Sequence, residues 1–190
     1  ESAQSAPPVS ATTNSSTATT FTPVADSYVD SSTPTSNFGT SAAIRVDASP
    51  TVRTYLKFNV SGLTGTVTNA TLRVFTNTAQ SVGYDVFGVT DTSWIESGAG
   101  GLTFNNAPAL AATKTGSSGP VSAGTWTTVN VTPLVAGNGT ISIALTTTST
   151  TSLSMSSREG SNAPQLVVST VGFKRRDAAF SSLVVSNNRN

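Results

Sequence analysis

The 190-residue chain contains neither histidine nor cysteine, so carboxylates, aromatic rings and cations must carry whatever chemistry it performs. That leaves no Ser-His-Asp triad, no thiolate nucleophile, and no imidazole or thiolate metal ligand. Paired carboxylates remain for glycoside hydrolysis, which needs an acid and a base or nucleophile. The candidates are Asp85, Asp91, Glu96 and Glu159. Each also suits a turn or pairing with a nearby arginine, and that is the preferred reading: the chain is expected not to be an enzyme. Ser157-Arg158-Glu159 reads in the same way, as an ion-paired lock between strands. Asp26, Asp30 and Asn37 fall near one loop and would offer oxygens to a structural Ca2+, although their spacing is not that of an EF-hand loop. No cofactor is otherwise required.

The element that must position these groups is Arg53 to Leu63, RTYLKFNVSGL. Leu56, Phe58 and Val60 fall on one face of a strand, and Tyr55, Lys57 and Asn59 on the other, as a two-residue period requires. Such a strand belongs to a sheet with one dry and one wet side, a wall of an antiparallel sandwich. A second alternating run spans 66–76 and is expected to complete a hairpin with 53–60. Further strands are expected at 21–30, 44–47, 82–89, 126–132, 141–146, 153–155 and 165–168, with Val129, Val131, Ile141, Ile143 and Leu145 inward. Residues 97–123 lack periodicity, and Leu102-Thr103-Phe104 is expected to be a short strand hidden there. No stretch shows a sustained 3.6-residue period. The fold class is therefore all-β, an antiparallel sandwich of jelly-roll type with extended N- and C-terminal segments. Residues 1–20 read as a low-complexity segment, 21–168 as the sandwich, and 169–190 as an extension with a terminal strand.

Five stretches, YLKFNVSGL, NATLRVF, WIESG, LTFNNAP and SSREGSNAPQLVV, together resemble the DNRLRE-type extracellular surface domain, which is related to a family of carbohydrate-binding modules. Trp94 and Glu96 match the Trp-x-Glu of that pattern, and Ser157-Arg158-Glu159 matches the motif near its C-terminal end. Phe104 stands where the family commonly has Trp. The resemblance implies a device for stacking a sugar ring on an exposed aromatic side chain. The candidates are Trp94, Trp126, Tyr55 and Phe104, with Trp94 also read as a core plug. Arg45, Arg53, Lys57 and Arg73 lie on or beside the early strands. Gathered on one face, they would hold an anionic polysaccharide through charge-assisted hydrogen bonds; the preferred reading is a solvated face.

Charged residues make up 10% of the chain and the net charge is +1, so no strong field steers nucleic acid or anionic membrane. No apolar run approaches the roughly 18 residues that cross a bilayer. The chain begins at Glu1, which reads as a mature start with any signal peptide removed. Sequons occur at Asn14, Asn59, Asn69, Asn130 and Asn138, several of which a Thr-rich chain would contain by chance.

The segment 178–186, AAFSSLVVS, is apolar on both faces through Phe180, Leu183, Val184 and Val185, so a strand there needs a place to be buried. Two functional readings follow, both outside the cell. The first is the subunit of a fibre or surface layer, in which this segment completes a neighbour's sheet and builds a head-to-tail homopolymer. The second is a carbohydrate-binding module that recognises an extracellular polysaccharide. The first is preferred at this point because the chain reads as a mature form whose two ends are held in place, with its own sandwich and a neighbour's both open as the place where 178–186 is buried.

Overall fold

The computed structural model describes residues 13–174, and those residues form an all-β, antiparallel sandwich. The eleven strands are β1 (Thr13–Phe21), β2 (Ala25–Asp30), β3 (Ala43–Ala48), β4 (Thr51–Val60), β5 (Thr66–Thr76), β6 (Asp85–Val89), β7 (Lys114–Ser117), β8 (Thr125–Asn130), β9 (Gly139–Thr146), β10 (Leu153–Ser156) and β11 (Gln165–Lys174). One wall consists of β1, β11, β5, β8 and β10, and the other of β2, β4, β9, β6 and β7. Strand β3 joins them, because Ala43–Val46 pair with β10 while Asp47 and Ala48 pair with β4. No helix among the described residues is long and apolar enough to cross a membrane.

Alternation places the core as expected. Leu56, Phe58 and Val60 of β4 and Ile141, Ile143 and Leu145 of β9 face Leu72, Val74, Val129, Val131, Leu166 and Val168 across the sandwich. One expected pairing does not form. β4 pairs with β2, β3 and β9, whereas β5 pairs with β8, β10 and β11. The chain crosses between walls at Ser61–Gly65 instead of turning back as a hairpin. The physical reason is that both strands carry a full apolar face, and opposing those faces buries more surface than setting them side by side.

The long aperiodic region is also built differently. Leu102-Thr103-Phe104 is not a strand; Gly101 makes a single bridge to Ile95, and the strand of this region is β7. Residues 90–111 run across the outer face of the β4–β9–β6 wall and seal a second core of Ala25, Val29, Tyr55, Val89, Trp94, Leu102 and Ala144. The face of β4 expected to be wet is thereby dry at Tyr55.

The sandwich also extends past both expected limits. β1 begins inside the segment read as a low-complexity tail, and its backbone pairs with β11 from Phe21↔Leu166 to Thr13↔Lys174. Serine- and threonine-rich chain suits such a strand because its side chains can stand in water while the backbone completes a ladder. The segment 178–186, with Phe180, Leu183, Val184 and Val185, lies outside the described residues.

Phe58 is fully buried between the walls. Phe58→Ala is expected to lower stability by about 3–5 kcal/mol, the usual range for truncating a buried phenylalanine. Denaturant unfolding measures it, and a loss below about 1 kcal/mol would contradict the packing described.

Candidate functional site

Two motif residues 62 positions apart meet at the edge of the second core. Glu96 lies on the loop after β6, and Arg158 in the turn between β10 and β11. Arg158 Nε donates to Glu96 Oε1 at 2.6 Å and Nη2 to Oε2 at 2.7 Å, a bidentate pair of the strong, directional kind. Glu96 Oε1 also accepts the Asp26 amide at 2.7 Å, and Asp26 Oδ2 accepts the Arg158 amide at 2.7 Å. Glu159 lies 2.9 Å from Arg158 Nε. The expected arginine lock is present, but its fork is directed at Glu96. Gly39 permits this approach, because a Cβ there would stand 2.1 Å from the Glu96 carbonyl oxygen.

The oxygens suggested for calcium are distributed differently from the expectation. Asp30 accepts the Ser32 amide and hydroxyl at 2.8 and 2.6 Å. The Asn37 side-chain amide donates to the carbonyls of Glu96 and Leu102 at 2.6 and 2.8 Å, so it acts as a clamp on the loop. Asp26 instead meets Glu96 and Glu159, with one oxygen of each within 4.8 Å of the others. Arg158 already lies on that cluster as its counter-charge. Burial, with Glu159 and Glu96 adding to it, pushes the Asp26 carboxyl up to about 7 against the opposing Arg158 amide and charge.

The remaining carboxylates have local partners. Asp85 pairs with Lys114 at 3.1 Å and accepts the Ser117 hydroxyl. Asp91 accepts the Ser93 amide and hydroxyl at 2.7 and 2.6 Å, which hold it below the ordinary carboxylate range.

The candidate aromatics divide sharply. Tyr55 and Trp94 are buried in edge-to-face contact at 6.2 Å. Tyr55 donates its hydroxyl to the Pro108 carbonyl at 2.8 Å, and Trp94 its indole N–H to Ser142 at 2.8 Å. Lys57 donates to the Trp94 carbonyl and lies 4.4 Å above its ring. Tyr55 and Trp94 thus turn their rings into the second core, Trp94 as the core plug also read from the sequence, and with Lys57 they fasten the loop to the sheet. Phe104 is half-buried against the same core, with the Arg53 guanidinium 6.0 Å from its ring.

Trp126 is placed differently. It lies half-exposed on the outer face of β8, opposite Phe75 of β5, with ring centroids 5.6 Å apart. Arg73 takes one side of the indole at 4.9 Å and donates to Gln165 of β11 at 2.8 Å. Trp126, Phe75, Arg73 and Gln165 thus form a strip across three strands, edged by Thr128, Thr71, Asn69 and Asn130. Phe75 is missing from the sequence reading, although its position two residues after Arg73, on the polar side of an alternating strand, signals it. The cations do not gather on one face. Arg73 stands on one wall, Arg53 and Lys57 on the other, and Arg45 is exposed beside the Tyr28 ring at 5.6 Å.

The sequon asparagines also differ in setting. Asn59 and Asn138 are exposed, and Asn138 brackets the backbone of Leu63. Asn130 donates to Asn69 at 3.1 Å. Asn14 stands on β1 opposite Phe173.

The family model of carbohydrate-binding module family 96 matches residues 17–170, from within β1 to within β11. No curated protein matches the chain. The family match bears out the carbohydrate-binding-module relationship implied by the resemblance and does not confirm its surface-domain label.

Because its folded carboxyl titrates near 7, Asp26 binds its proton more tightly in the folded than in the unfolded chain. Its stabilising contribution is complete below about pH 4 and is lost as pH rises through 7, at most about 4 kcal/mol for a difference of this size. Asp26→Asn keeps an acceptor for the Arg158 amide and removes the titration. The stability of the variant relative to the parent should therefore rise between pH 4 and 8 in thermal or urea unfolding. A difference that stays flat with pH would show that Asp26 does not titrate in this window.

Proposed function

The chain belongs to carbohydrate-binding module family 96, and from that membership we propose that it binds an extracellular polysaccharide without transforming it. The contact surface is the outer face of β11, β5 and β8, centred on Trp126. The observation that carries this placement is the strip itself. Of the four aromatic candidates, Trp126 alone combines partial exposure with an open sheet face and a second ring beside it.

The chemistry suits a sugar strand. An aromatic ring offers area to the C–H side of a pyranose while its neighbours bond the hydroxyls. Arg73 keeps guanidinium N–H groups beyond the one given to Gln165, and Gln165 adds an amide donor. The outward residues Asn69, Thr71, Arg73, Phe75, Trp126, Thr128, Asn130, Gln165, Val167 and Ser169 include no carboxylate. Uronate and neutral residues can therefore both approach, and acidic chains gain from Arg73. The family match supports this reading in preference to a fibre subunit, whose donor segment has no structural observation behind it.

Trp126 and Trp94 separate the signal from its control. Titration with a panel of neutral and acidic polysaccharides should quench the emission of Trp126, while the buried Trp94 reports only on the fold. Trp126→Ala should weaken binding at least tenfold with unchanged unfolding. If no polysaccharide of the panel quenches or binds, the proposed function is wrong; if Trp126→Ala binds as well as the parent, the strip is not the contact surface.

A further inference from the structure

The 90–111 loop covers the outer face of the β4–β9–β6 wall only in part. Beside Ala109 and Leu110 the wall remains open as a groove of about 570 Å3, within the roughly 300–1,000 Å3 of small-ligand sites. Phe87 and Leu110 give it an apolar surface, and Asp47, Thr51, Arg53, Thr146 and Thr148 surround that surface. Their polar groups are largely uncommitted. Arg53 makes no salt bridge among the described residues; its guanidinium lies beside Phe104 and the Tyr55 hydroxyl, which hold it at the margin. Asp47 accepts the Ser49 amide on Oδ1 at 3.0 Å, which leaves Oδ2 available. The hydroxyls of Thr51, Thr146 and Thr148 make no hydrogen bonds within the described chain.

We propose that this groove is a second carbohydrate subsite, on the wall opposite the Trp126 strip, and that it takes a neutral pyranose unit. The ligand class rests on the sugar-binding reading above; the location rests on the groove alone. A pyranose presents one apolar C–H face and a rim of hydroxyls that both donate and accept. The apolar face lies against Phe87, hydroxyl donors reach Asp47, and hydroxyl acceptors take the N–H groups of Arg53. A uronate would bring its carboxylate toward Asp47 as well as Arg53, whereas a neutral ring satisfies both without a like-charge contact. Two subsites on opposite walls let one module engage two strands, or two parts of one, and so gain avidity without a larger interface.

The test uses the full chain, isotope-labelled, in NMR titrations with cellohexaose, mannohexaose, laminarihexaose and a hexauronate. At least one neutral hexaose should move the amides of Arg53, Phe87, Leu110 and Thr148. Arg53→Gln, and Thr148→Trp placed to fill the groove from its exposed side, should each weaken that response at least tenfold and leave the Trp126 response intact. Trp126→Ala should do the reverse. Movement confined to the Trp126 strip, groove shifts produced by the hexauronate alone, or groove shifts indifferent to both variants would overturn the second subsite while leaving the sugar-binding reading in place. Silence at both surfaces with every saccharide would overturn the two together.

Discussion

The bidentate pair between Glu96 and Arg158 closes the third layer of the molecule. A segment as long as 90–111 has no ladder of its own to hold it, so its position depends on side-chain contacts at a few points. Glu96 is the most heavily used of these. Its carboxylate holds the Arg158 fork and the Asp26 amide, and its carbonyl holds Asn37. Three separate stretches of chain thereby converge on one residue. The pair is partly sheltered, with Glu96 only 14% exposed at its side chain, and its two parallel bonds give it a directionality that a single surface ion pair lacks.

Closure of that layer decides which surfaces remain for a ligand. Trp94 stands two residues before Glu96 and points into the sheet, where it meets Tyr55 and Ser142. Lys57 is drawn in behind it, and burial pulls its ammonium below the ordinary lysine range against the attraction of Asp91 and Glu96. Three groups that look available on the strand pattern are therefore part of the scaffold. What is left open lies where the cover is absent: the opposite wall at Trp126, and the uncovered end of the β4–β9–β6 wall beside Phe87.

The distribution of charge points the same way. The acidic residues that pair are grouped at the covered wall and its edges, with Lys114 and Arg158 as partners. Between Asn69 and Phe75 of β5, Trp126 and Asn130 of β8, and Gln165 and Ser169 of β11, the outer face carries Arg73 and otherwise uncharged side chains. On the proposed contact surface, recognition rests on ring stacking and directional hydrogen bonds more than on long-range attraction, with Arg73 as the one charged group.

Alternation made the strands and the main core legible from the sequence, because the direction of a side chain on a strand is a local property with a period of two. Leu56, Phe58 and Val60, or Ile141, Ile143 and Leu145, can face only one way together. The order of motifs likewise placed Trp94, Glu96 and Arg158 within a module-like pattern. The pairing of β4 with β9 and not β5, the strand at Thr13–Phe21, and the dry outer face at Tyr55 are not local properties. Each depends on chain arriving from far away, as when Arg158 meets Glu96 across 62 positions or Lys57 meets Trp94 across 37. Such contacts have no signature in residue spacing, and their energy exists only once the walls have closed. The residue pattern determined which side chains share a face; the tertiary structure decided which of those faces meets water.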